Sequence, residues 1–204
     1  MKTGHVWLLA AVTAASLIAG NSAFAQARIQ VGLYAGASKP TGTLSDQVDL
    51  GYHGGAFGTF KVTSQFGVRV DGAYNYFGSK DFPLDATTTA TSKTTLSFAT
   101  LNAQYDLGEE VVMAPGGGAL PYISGGVGAY RFSFDDACTG TGCGGITFAP
   151  SSETHWGLNV GAGSVFHLSS FTPFVDIRYH SIFPRSGQSG RVSMFLASVG
   201  LRFP

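Results

Sequence analysis

The two cysteines of the chain, Cys138 and Cys143, lie in the segment CTGTGC. Two thiols at this spacing can form a disulfide in an exported protein, or they can bind a metal ion. A zinc site needs about four ligands, and no histidine lies nearby in the sequence. The pair therefore favours a disulfide that closes a loop, with a metal site as the alternative. No cofactor is predicted.

His180 and Ser181 are the nearest approach to a catalytic pair, because an imidazole can activate a hydroxyl within hydrogen-bond reach. They are adjacent in the segment RYHS. Adjacent side chains of a β-strand point to opposite faces, so these two would not meet. His180 is instead expected to be a polar interior residue with Asp176 as its partner. No catalytic residue is predicted.

Six polar residues lie on the same face of segments in which polar and apolar residues alternate. The opposite face of these segments carries apolar and aromatic side chains. The six polar residues are Arg69, Asp71, Asp106, Asp176, Arg178 and His180. If this polar face points to the inside of the protein, the charges must be paired, because an unpaired buried charge is costly. We therefore expect Arg69 and Arg178 to pair with one or more of the three aspartates.

The elements that position these residues follow an export signal. Lys2 precedes the apolar run at 6–18, and Ala23-Phe24-Ala25 has the small-x-small pattern of a cleavage site. The run is shorter than the about 20 residues of a membrane-spanning helix. We predict a signal peptide at 1–25 and a mature domain at 26–204; an uncleaved N-terminal anchor is the alternative.

The composition of the chain fits a membrane protein that is not helical. Charged residues make up 12%, about half the usual share of roughly 25%. The formal net charge is +0, and without a basic cluster nucleic acid is not an expected partner. After Ala25 no window resembles a transmembrane helix. A mature chain in a membrane would therefore have to be a closed barrel.

Period-two alternation predicts eight strands, bounded by Gly, Ser, Thr, Pro and Asp clusters. The segments are 28–38, 51–62, 66–77, 94–107, 120–132, 153–168, 172–183 and 191–203. Short turns at 63–65 and 169–171 and a longer link at 108–119 alternate with long polar loops at 39–50, 78–93, 133–152 and 184–190. Outer-membrane barrels have this alternation, with the long loops outside the cell. The fold class is therefore an all-β, eight-stranded antiparallel up-and-down transmembrane barrel.

Aromatic residues near both ends of the apolar faces favour lipid outside the barrel over a soluble, lipocalin-like arrangement. The predicted girdle residues are Phe66, Tyr74, Tyr76, Trp156, Phe166 and Phe203. Ten residues at about 3.3 Å each, tilted by about 40°, span roughly 25 Å, the height of the apolar band. The interior of an eight-stranded barrel is only wide enough for side chains, so we expect a filled lumen.

The chain resembles the small outer-membrane barrels of the OmpA, OmpX and OmpW type, and more closely the broad outer membrane protein β-barrel domain family. Supporting segments are IQVGLYAGASKPTG, FGVRVDGAYNYF, PYISGGVGAYRF, FTPFVDIRYHSI and VSMFLASVGLRF. The last is similar to the C-terminal signal read by the barrel-assembly machinery, although Pro204 follows the aromatic. The resemblance implies a monomer in the bacterial outer membrane, among lipids that include lipopolysaccharide.

The resemblance and the filled interior predict a structural or surface-interaction role through the long loops. A narrow, porin-like channel for small or hydrophobic solutes is the alternative. The third possibility is an enzyme, since RYHS resembles the Ser/His site of lipid A 3-O-deacylases. In that family one residue separates His from Ser, which the adjacent pair here does not match.

Overall fold

The computed structural model describes residues 29–42, 45, 48–78, 80–83, 88–109, 111–113, 117–140, 143, 151–168, 170–184 and 192–204. The predicted signal peptide lies outside these residues. The strands are β1 (Ile29–Gly42), β2 (Gly51–Lys61), β3 (Phe66–Phe77), β4 (Lys80–Pro83), β5 (Thr88–Asp106), β6 (Val111–Met113), β7 (Gly117–Gly140), β8 (Ser151–His167), β9 (Thr172–Ile182) and β10 (Val192–Phe203).

Eight long strands close into an antiparallel barrel. Each pairs with its neighbour along the chain, and β1 pairs with β10 from Val31↔Phe203 to Gly42↔Val192. The ladder between β5 and β7 completes the ring. The predicted fold class is confirmed. In the part of the chain that the structure describes, no helix has the length and apolarity needed to cross a membrane.

Two strands run six or more residues further than the alternation predicted, and β1 ends at Gly42 rather than 38. β5 begins at Thr88 rather than 94, and β7 continues to Gly140 rather than 132. The added residues pair with each other from Thr88↔Gly140 onward, and β4 adds a third strand beside them. We call β4, residues 88–93 and residues 133–140 the sheet extension. The segment TTATSKTT is polar and resembles a loop, but threonine is β-branched and favours strands.

The link at 108–119 also contains structure that was not predicted. β6 pairs with residues 117–119 of β7 as a short hairpin at the rim that carries the tight turns. We call this rim the turn rim, and the opposite one, which carries 39–50, 78–93, 133–152 and 184–190, the loop rim.

Cys138 and Cys143 form a disulfide, with their Cα atoms 5.8 Å apart. Cys138 lies within β7, opposite Ala90 of β5, so the bridge closes the tip of the sheet extension rather than a free loop. Cys138 lies at the far end of the β5–β7 ladder, beyond Phe134, the last residue of β7 that pairs with β8. The bridge is therefore expected to stabilise the extension alone.

Replacing both cysteines by serine should leave the free energy of unfolding of the barrel nearly unchanged, while protease cleaves 133–152 faster. Closing so short a ring stabilises by about 2–3 kcal/mol at most, and this stabilisation is confined to the extension. Urea unfolding in vesicles and limited proteolysis with mass spectrometry measure the two effects. Two free thiols in unreduced protein taken from cells would contradict the pairing.

The strands present an apolar outer face and a polar and aromatic inner face. Tyr74, Trp156 and Phe203 are 56%, 69% and 45% exposed, whereas Phe66, Tyr76 and Phe166 point outward and are half-buried. Tyr74, Tyr76 and Trp156 lie toward the loop rim, and the other three lie toward the turn rim. Aliphatic side chains such as Val70 and Val160 are exposed between them. The predicted girdle residues thus bracket an apolar band on the outer wall.

Candidate functional site in the barrel interior

Asp71 is the centre of an ion cluster in the middle of the lumen, and it is fully buried. Arg69 donates from Nε and Nη2 to Asp71 Oδ1 over 2.9 and 2.6 Å. Asn102 donates to the other carboxylate oxygen over 2.8 Å, and Arg178 Nη1 lies 3.3 Å from that oxygen. One carboxylate therefore holds two guanidinium groups from opposite sides of the barrel.

Asp176 extends the cluster across the lumen. Its Oδ2 lies 3.3 Å from Arg178 Nη2 and accepts a 2.7 Å hydrogen bond from the hydroxyl of Tyr122. Arg178 is thus held between two carboxylates, Asp71 and Asp176. The guanidinium of Arg69 also stacks on Phe57, with 3.7 Å between its central carbon and the ring centroid. Such cation–π contacts stabilise most where water is excluded.

A second charged group lies closer to the turn rim. Asp106 pairs with Lys61 and accepts a 2.9 Å hydrogen bond from Gln104; it pairs with neither arginine of the central cluster. Arg202 donates to Gln30 over 3.1 Å. Among the described lumen residues, Arg202 is the cation that has no carboxylate partner.

The buried histidines serve as polar interior residues. His180 is fully buried, and its Nδ1 lies 2.8 Å from the hydroxyl of Tyr130, so Tyr130 and not Asp176 is its partner. Ser181 points to the outer face. His53 bridges Ser38 and Ser198 at 2.9 and 2.8 Å. No group of three or more His, Cys, Asp or Glu among the described residues could hold a metal ion.

Large apolar and aromatic side chains fill the lumen on both sides of the ion cluster, a feature that the sequence reasoning missed. Toward the loop rim lie Val48, Phe77, Leu96, Phe98, Tyr130, Phe132, Ile182, Met194 and Leu196. Toward the turn rim lie Tyr34, Phe57, Tyr122, Val165 and Phe174. The alternation of faces along a strand could have predicted them, because Phe174 lies on the same face of β9 as Asp176, and Tyr122 on the same face of β7 as Gly126.

Glycines on the inner face make room for these rings. A Cβ atom at Gly32 would lie 2.4 Å from the Phe57 ring, and one at Gly163 would lie 2.5 Å from the hydroxyl of Tyr122. Each ring therefore lies over the backbone of the neighbouring strand, at the glycine that is its partner in the ladder. This close approach explains why glycine, which is otherwise unfavourable within a strand, is found at these positions.

Very little free volume remains at the centre of the lumen. The cavity beside Arg69, Arg178 and His180 measures about 10 Å³, which is the least that one water molecule needs. Phe98 and Leu196 close it toward the loop rim. The described interior is a packed core with an ion cluster inside it.

The geometry agrees with the comparisons with known proteins. Among solved structures, the chain is similar to Neisserial surface protein A, with a TM-score of 0.55 and 18% identity over 87% of this chain and 98% of that one. It is also similar to Ail, the attachment invasion locus protein of Yersinia pestis, with a TM-score of 0.50 and 14% identity over 86% of this chain and 99% of that one. At these identities the likeness shows the fold alone. No curated protein matches.

The family comparison covers nearly the whole chain. The model described as the outer membrane protein beta-barrel domain matches residues 7–203. This match agrees with the closed eight-stranded barrel and with its apolar outer wall, and it places the protein in the bacterial outer membrane. The chain therefore belongs to the outer membrane protein beta-barrel domain family.

Proposed function

We propose that the protein is a closed barrel that acts at the cell surface, by interaction or as a structural component, and does not act as a pore. The observation that carries this proposal is the filled lumen, in which only about 10 Å³ is free beside the ion cluster. Open aqueous channels are found in barrels of about 16 strands. The eight long strands here enclose packed side chains.

The sheet extension supports a surface role. β5 and β7 remain paired for 19 residue positions, from Asp106↔Tyr122 to Thr88↔Gly140, which is longer than a tilted strand needs to cross the apolar band. The long loops of outer-membrane barrels face outward, so the extension would project from the cell with its disulfide at the tip. A rigid, covalently closed projection is suited to contact with another surface.

The mature barrel should give no stable conductance steps in planar lipid bilayers. Among the described residues, the packed rings and the ion cluster leave only about 10 Å³ free at the centre of the lumen, too little for a hydrated ion. A 16-stranded porin reconstituted in the same lipid serves as the positive control. Reproducible single-channel steps that disappear with heat-denatured protein would refute the closed-barrel proposal.

A narrow channel is the second candidate, and one observation favours it. Several buried polar atoms have no hydrogen-bond partner among the described residues, including Arg202 Nε, Ser124 Oγ, Gln104 Oε1 and both amide atoms of Asn159. Buried polar groups usually find a partner, often water. A chain of waters on the inner wall would give small polar solutes a route past the rings.

We propose that the partners of the protein are outer-membrane lipids including lipopolysaccharide and, during biogenesis, the barrel-assembly machinery. We also propose that the protein is a monomer. Phe203 is 45% exposed at the end of β10 and is open to recognition before the barrel closes. We propose no enzymatic activity, because His180 and Ser181 lie on opposite faces of β9.

A further inference from the structure

A groove of about 480 Å³ lies on the outer wall of the barrel at the loop rim. It is formed by β3, β5, β7 and β8, where the barrel continues into the sheet extension. Lys93, Arg131 and Asp135 line it together with Tyr74 and Ser152. These charged side chains lie on the side of the sheet that faces lipid further down the barrel.

The height of the groove follows from the aromatic residues at its lower edge. Tyr74 is 56% exposed, and Lys93 Nζ lies 5.3 Å from the ring centroid of Tyr76. Trp156 is 69% exposed on the adjoining part of the wall. Exposed tyrosine and tryptophan mark the level where lipid chains give way to headgroups. The groove therefore opens at the height of the headgroups in the outer leaflet.

The charges in the groove are available to a ligand. Neither Lys93 nor Arg131 forms an ion pair with a described residue. Arg131 donates from Nη2 to Ser152 over 3.0 Å, which fixes the guanidinium, and its other N–H groups have no partner among the described residues. Asp135 stands opposite Lys93 in the ladder and is the one carboxylate among the described residues that line the groove. The groove thus carries one positive charge in excess.

We propose that this groove binds the phosphate of a phosphorylated glycolipid of the outer leaflet, with Arg131 and Lys93 as its cationic contacts. A guanidinium can bind phosphate through two parallel hydrogen bonds, and an ammonium adds a second positive charge. The acyl chains of the same lipid would lie on the apolar wall below Tyr74. The site rests on the lipopolysaccharide contact proposed above and gives it a location. It does not depend on the surface-interaction role, since it concerns lipid at the wall and not a partner at the tip.

The test uses the chain 26–204, in which Trp156 is the only tryptophan and lies on the same part of the wall as the groove. Energy transfer from Trp156 to dansyl-labelled, bisphosphorylated lipid A would be measured in phosphatidylcholine vesicles that contain the barrel. We expect saturable transfer. The double variant Lys93→Gln/Arg131→Gln should bind at least tenfold more weakly, and Asp135→Asn should bind severalfold more tightly, because it removes the repelling carboxylate.

The matched control is Lys39→Gln, which removes an exposed cation of the same rim on β1, outside the groove. It should bind like the unchanged protein. Equal affinity of the double variant, or equal affinity for dephosphorylated lipid A, would overturn the site. Inorganic phosphate alone should bind at least a hundredfold more weakly, and equal binding of phosphate would overturn its assignment to a lipid.

Discussion

Replacing Asp71 by asparagine is expected to lower the free energy of unfolding by about 3–5 kcal/mol, the cost of removing one member of a buried ion pair. Asparagine keeps the size of the side chain and removes its charge. Arg69 would then have no carboxylate partner among the described residues, and Arg178 would keep only Asp176. Urea unfolding of the barrel in vesicles measures the change.

Double-mutant cycles show whether the charged residues of the cluster stabilise one another or only lie close together. Arg69→Gln should cost less than Asp71→Asn, because Asp71 would keep Arg178 and Asn102. The two changes together should cost less than their sum, and the same holds for Arg178 with Asp176. Glu109→Gln, in an exposed turn, should stay within about 0.5 kcal/mol and is the control. Additivity in every cycle would indicate a hydrated lumen and would favour the channel.

Replacing Val160 by arginine is expected to cost about 2–4 kcal/mol, the penalty for a cation at the lipid-facing midplane of a barrel. Val160 is 59% exposed and lies midway between Trp156 and Phe166 on β8. In detergent micelles, where the charged group can reach water, the loss should be smaller. Unfolding in vesicles and in micelles would be compared.

The control for this change is Val160→Leu, which keeps the outer wall apolar and should be nearly neutral. The sequence predicts that serine at the neighbouring Gly161 costs less than Val160→Arg, and the structure shows that the inner face leaves little room for it. A Cβ atom there would lie 2.7 Å from the carbonyl oxygen of Ile177 and 3.0 Å from Arg178. If Val160→Arg proves as harmless as Val160→Leu in vesicles, the outer wall does not face lipid.

Parity explains how much of the interior could be predicted. Because successive side chains of a strand alternate between faces, the sequence alone assigns Arg69 and Asp71 to one face. Which charges meet across the lumen depends on the relative height of distant strands, which is not a local property. Asp106 therefore pairs with Lys61. His180 lies within hydrogen-bond distance of Tyr130 and not of Asp176, which its closeness in the sequence had suggested.

The aromatic residues show a second limit of the sequence. Rings near strand ends predicted the girdle, but Tyr122, Phe57 and Phe174 are buried inside. Their place depends on glycines on other strands, such as Gly163 opposite Tyr122 and Gly200 beside Phe174. The predicted lengths of the loops at 78–93 and 133–152 were wrong for a related reason. The polar start of β5 becomes a strand only when the end of β7 pairs with it.

The pairing of β1 with β10 has a consequence for the order of folding. Every other ladder that closes the barrel joins long strands that are neighbours along the chain, whereas here Val31 meets Phe203. Forming a contact between such distant residues costs the most chain entropy and is kinetically slow. The hairpins are therefore expected to form first, with this seam closing last. Until then, the backbone groups of β1 and β10 remain two unpaired edges within the bilayer.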